Sequence, residues 1–112
     1  MENRKFKRVD FAGYASIILD DYVVWGKVNN LSLRGLYIKT SHYLPENKPV
    51  EVTIHHSSGS PIHLHATPVH SGDEGAGMKI NQVDSVSFVY LKEVILSKCY
   101  DPGFGHNETC TV

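Results

Sequence analysis

The sequence predicts an all-β domain, a sandwich or a small barrel, that ends in a single helix. Three observations carry this. Segments rich in β-branched and aromatic residues recur about every ten residues, several with polar and apolar positions in alternation. Clusters of Gly, Pro, Ser and Asp separate them. At Asp84 the apolar spacing changes from a strand period to a helical one.

The elements follow in order. "FAGYASIIL" is dense in β-formers, and Asp20 and Asp21 suit a hairpin turn into "YVVWGKVNNL". "GLYIKT" alternates after Gly35. "PVEVTIHH" sets Val50, Val52 and Ile54 on one face and Glu51, Thr53 and His55 on the other. "SSGSP" reads as a loop, and "IHLHATPVH" resumes the alternation with Ile62, Leu64 and Ala66 inward. "GDEGAG" reads as a further turn and "MKINQV" as the last strand. "DSVSFVYLKEVILSK" then spaces Phe88, Leu91 and Ile95 on one helical face, with Asp84 as N-cap and Lys98 suited to the C-terminal end. Trp25 is expected in the core or the barrel wall. The expected organisation is a flexible basic segment over 1–9, a packed domain over 10–98 and a tail over 99–112.

Composition narrows the function. A chain of 112 residues closes one core, and 41% hydrophobic with 21% charged residues is ordinary for a globular domain. A net charge of −1 and a pI near 6.6 argue against a basic nucleic-acid coat, so DNA is not an expected partner. No apolar run approaches the roughly twenty residues of a membrane span, and the basic N-terminus lacks a signal sequence's apolar region. Cys99 and Cys110 do not make a disulfide framework, so a cytoplasmic address is expected. No P-loop, H-E-x-x-H or G-x-S-x-G occurs, and adjacent Asp20 and Asp21 make a poor acid–base pair; no catalytic residues and no enzyme are expected. His55, His63 and His65 share a polar face, where three imidazoles could bind zinc. No acidic or Cys partner stands at a recognisable spacing, so neither a metal site nor a cofactor is expected.

Two stretches stand apart. "ENRKFKR" gathers Arg4, Lys5, Lys7 and Arg8, four of the chain's eleven Lys and Arg. They read either as a solvated basic tail or as two arginines spaced to grip a planar anion. "NNLSLRG" supplies Asn30, Ser32 and Gly35, which a turn between strands requires. The same groups can form a polar cradle, with an amide for a base edge and backbone N–H groups for phosphate. Each half is common by chance. Both in one short chain, in this order, are not.

Together they read R-x-x-x-R followed by [DN]-x-S-x-x-G, and the chain thereby resembles the PilZ domain, a bacterial receptor module for cyclic di-GMP. "GAGMKI" is similar to that family's Gly-x-Gly entry to its final strand. The resemblance runs from about Arg4 to Lys98. It implies a six-stranded antiparallel split β-barrel with a C-terminal α-helix. It also implies that Arg4 and Arg8 grip bases and phosphates of cyclic di-GMP, that Asn30 and Ser32 line the barrel side, and that Gly35 shapes the loop. Lys5 and Lys7 match no motif position. Asn30 stands where many members carry Asp, which could accept from both donors of a guanine edge.

The expected function is that of a stand-alone receptor or adaptor whose altered surface is read by an effector protein, in control of motility, pili or exopolysaccharide. The chain itself is expected as a monomer or weak homodimer. The alternative is a PilZ-like protein-interaction module that does not bind nucleotide. A third reading, a barrel for single-stranded RNA, is opposed by the neutral pI and the lack of interleaved aromatics. Residues 1–9 carry like charges and little to bury, so the expectation is that they order only over the ligand.

Overall fold

The computed structural model of the chain describes residues 9–56 and 59–99. Six strands and a helix follow in chain order: β1 (Val9–Leu19), β2 (Tyr22–Leu31), β3 (Gly35–Lys39), β4 (Val50–His55), β5 (Ile62–Ser71), β6 (Gly75–Val83) and α1 (Ser85–Cys99). Their spatial order, β1-β2-β3-β6-β5-β4, closes on itself through antiparallel pairs throughout. The fold is therefore a barrel rather than a sandwich, and closure leaves no strand edge unpaired.

Alternation builds the core. Val50, Val52 and Ile54 of β4 are buried with Ile62, Leu64 and Ala66 of β5, and the register pairs them directly, Val52 with Leu64 and Ile54 with Ile62. Ile17, Val24, Val28, Leu36 and Ile38 fill the same interior from β1, β2 and β3. Leu44, from the long connection after β3, is fully buried, and its N–H donates to Ser71 Oγ at 3.1 Å. At the hairpin between β1 and β2, Asp20 adopts a φ of 42°, a left-handed conformation that Asp tolerates better than most residues.

Two details differ from the sequence reading. The last strand begins at Gly75, three residues before Met78, and the turn before it closes with a bond from the Gly72 N–H to the Gly75 carbonyl at 2.9 Å. Phe88 does not share the buried face of α1: it is 37% exposed, while Ser87, Leu91 and Ile95 face the barrel at four-residue spacing. Ser87 belongs there because its hydroxyl accepts the backbone N–H of His63 at 2.9 Å and so ties the helix to β5. Asp84 caps the helix as expected, its Oδ1 accepting the Ser87 N–H at 2.7 Å. Trp25 stands on the barrel wall, one of the two places expected for it, with its side chain exposed.

Candidate functional site

Between β2 and β3 lie only Ser32, Leu33 and Arg34. Ser32 is 2% exposed. Its Oγ accepts the N–H groups of Arg34 and Gly35, each at 3.1 Å, and donates to the Gly35 carbonyl at 3.3 Å. The Ser32 N–H donates to that same carbonyl at 2.9 Å. A hydroxyl offers one donor and two acceptor positions, so this side chain's capacity is used inside the turn. Only a short side chain can turn back on the next backbone groups in this way, which is why Ser suits the position. Gly35 is buried and opens β3 opposite Lys79. Leu33 packs on the core, and the Arg34 carbonyl accepts the Ile80 N–H at 2.8 Å. The loop is thus anchored at its start, its middle and its end.

Asn30 precedes this loop on β2, half-buried, between Asp10 of β1 and Tyr37 of β3. The inward sequence Val24, Gly26, Val28 skips to Leu31, and the register shifts between Val28 and Asn30 in the β2–β3 pair. That irregularity turns both Asn29 and Asn30 away from the core. Asn30, Ser32 and Gly35 are therefore brought onto one strand-to-loop segment, with Asn30 on its outer side.

Arg4 and Arg8 lie outside the described residues. The start of β1 is nonetheless informative: Val9 pairs with Leu31 and Asp10 with Asn30, so the chain joins the barrel directly beside the loop. In the sequence Arg8 immediately precedes β1, and Arg4 stands four residues before Arg8.

The sequence reading assigned nothing to Tyr37 or Lys79, which complete this face. Tyr37 lies outward on β3 between Asn30 and Gly77. A β-carbon at Gly75 would meet the Tyr37 hydroxyl at 2.8 Å and would collide with the Ile38 carbonyl oxygen. The Gly-x-Gly of "GAGMKI" therefore leaves room for an aromatic ring laid across β6. Lys79 stands opposite Gly35 and Lys27 opposite Lys39, while Asp10 stands opposite Asn30 and Glu74 adjoins Gly75, so charges of both signs border the loop. Alternation within "GLYIK" signals that Tyr37 faces outward, but its neighbours follow only from the register.

The histidines are spread along the wall. His63 Nδ1 lies 3.1 Å from Thr53 Oγ1, and His55 Nε2 lies 3.3 Å from Ser16 Oγ. Among the described residues no group of three His, Cys, Asp or Glu side chains converges as a metal site would require.

The architecture is a closed antiparallel barrel that carries one polar loop tied down at its start, middle and end. The PilZ domain profile matches residues 2–97, and the chain belongs to the PilZ domain family. Three solved structures share the fold. The PilZ domain with c-di-GMP of YcgR from Escherichia coli superposes with a TM-score of 0.73 at 13% identity, covering 87% of this chain and 92% of that one. The Bacillus subtilis inhibitor of motility, MotI/DgrA, gives a TM-score of 0.71 at 11% identity over 87% of this chain and 51% of its own, so this chain spans about half of it. The PilZ domain of CeSA from a cellulose-synthesizing bacterium gives 0.64 at 16% identity, over 89% and 99%. At such identities the likeness is one of fold. No curated protein matches the sequence.

Proposed function

We propose that the chain is a cyclic di-GMP receptor that signals by presenting an altered surface to a partner protein in the cytoplasm. The observation that carries this is the pairing of Val9 with Leu31 and Asp10 with Asn30, which sets the start of β1, next in sequence to Arg8, beside the Asn30–Gly35 loop. Family membership and the cyclic dinucleotide named with YcgR's PilZ domain support the choice of ligand.

In this reading the roles divide by geometry. Arg4 and Arg8 supply fork-shaped donors for guanine O6 and N7 and for phosphate, and their planes stack on the bases. Asn30 meets a base edge from the barrel side. Ser32 and Gly35 act by holding the loop in shape, since the Ser32 hydroxyl is used within the turn. Binding and release alone are needed, so no catalytic residue and no cofactor enters the account.

The alternative, an interaction module that binds no nucleotide, is favoured by one observation: a purely structural turn would also use the Ser32 hydroxyl internally. Calorimetry separates the two. Saturable heat with cyclic di-GMP, and none with GTP or a short RNA, supports the receptor; no heat with cyclic di-GMP removes it.

A further inference from the structure

We propose that the outer wall of β4, β1 and β2 is the contact surface for a second copy of this chain. The register arranges its outward residues in three rungs. Ile18 lies between Val23 and Glu51, Ser16 between Trp25 and Thr53, and Tyr14 between Lys27 and His55. Four large apolar side chains stand together here in the open: Tyr14 is 59% exposed, Trp25 58%, Val23 50% and Ile18 44%.

The centre of this wall is already ordered. The Trp25 and His55 rings meet at 5.4 Å with an interplanar angle of 35°, and His55 is in turn within hydrogen-bond distance of Ser16. An anchor held before docking loses little rotamer freedom on docking. Rigid Trp and Tyr beside branched aliphatics suit a protein surface. A sugar or a nucleobase would use the ring faces and gain nothing directional from Ile18 and Val23.

Charge selects the occupant. Asp21 and Glu51 lie at the end of the wall nearer the β1–β2 hairpin, where Lys48 is already paired with Asp20 at 3.2 Å, and Lys27 lies at the other end, with Lys39 of β3 beside it. A two-fold axis lying in the interface, across the strands at the Trp25 rung, reverses the second copy end for end and keeps its lateral order. Trp25 then meets the partner's Trp25, and Ile18 covers the partner's Tyr14. Glu51 faces the partner's His55, and Val23 faces the partner's Lys27, whose long stem can cover Val23 while its ammonium extends toward Asp21. The Trp25 pair sits on the axis and occurs once, and each off-axis pair occurs twice, as a self-complementary contact requires. An axis along the strands would instead set lysine end against lysine end. The wall fits itself in one orientation.

Sedimentation velocity on the full chain, read together with emission from its single tryptophan, tests this. The expected result is a reversible dimer up to about 1 mM, the range in which a weak association is still populated, with a concentration-dependent blue shift. Trp25→Ser should raise the dissociation constant at least about tenfold, as loss of a central aromatic anchor does. The melting temperature should stay unchanged, because the side chain points out of the barrel. Lys27→Glu and Asp21→Lys should each weaken the dimer, and the double variant should recover it. A monomer at every concentration, a dimer indifferent to Trp25→Ser, or a double exchange that restores nothing would overturn the proposal.

Discussion

Ser32 makes three hydrogen bonds with one hydroxyl and is nearly inaccessible. Removing that oxygen leaves two N–H groups facing an apolar interior, a loss of about 1–3 kcal/mol. Ser32→Ala should therefore lower the melting temperature of the ligand-free protein, measured by circular dichroism. Arg8→Ala should do the opposite: leave the melting temperature alone and weaken cyclic di-GMP at least about tenfold, the cost of one charge-assisted contact. The turn made by Ser32 and Gly35 was legible in the sequence because turn chemistry is local, whereas Asn30, expected in that turn, lies on β2 before it. Tyr37 and Lys79 were not legible. What makes them neighbours of Asn30 and Gly35 is the pairing of β3 with β2 and β6, which no local pattern encodes.

At the scale of elements, α1 depends on its first turn. Asp84 accepts the Ser87 N–H while the Ser87 hydroxyl holds the His63 N–H, so cap and docking share one network. Asp84→Ala should cost about 1 kcal/mol in denaturant unfolding, and Ser87→Ala should loosen the helix from β5. The misplacement of Phe88 on the buried face has its cause here, since a polar residue was needed where an apolar pattern would place a hydrophobic one. The late start assigned to the last strand has a similar origin. Glycine reads as turn, yet Gly75 and Gly77 lie within β6, where Gly75 accommodates the Tyr37 ring. Gly75→Val should displace Tyr37 and destabilise the β3–β6 pair, visible as faster amide exchange at Leu36 and Ile38. Strands β2, β4 and β5 were legible almost to the residue because β4 and most of β5 alternate against one core, and β2 does so as far as Val28.

For the whole molecule, the strand signals alone could not choose between sandwich and barrel, because closure of β4 onto β1 joins strands about thirty residues apart in sequence. The β1–β2 register, not that closure, sets the start of β1 beside Asn30, and the binding site proposed for cyclic di-GMP is where the N-terminal segment meets the Asn30–Gly35 loop. At a hundred times its dissociation constant such a ligand adds about 2.7 kcal/mol, a rise in melting temperature on the order of 10 °C for a domain of this size. Location is the sharper question, and hydrogen exchange resolved along the chain, with and without cyclic di-GMP, answers it most directly. The account predicts that exchange slows strongly over residues 1–9 and over 30–35, while amides around Val52 and Leu64 change little. Protection that leaves residues 1–9 untouched, or that centres on the β4–β5 hairpin, would contradict it.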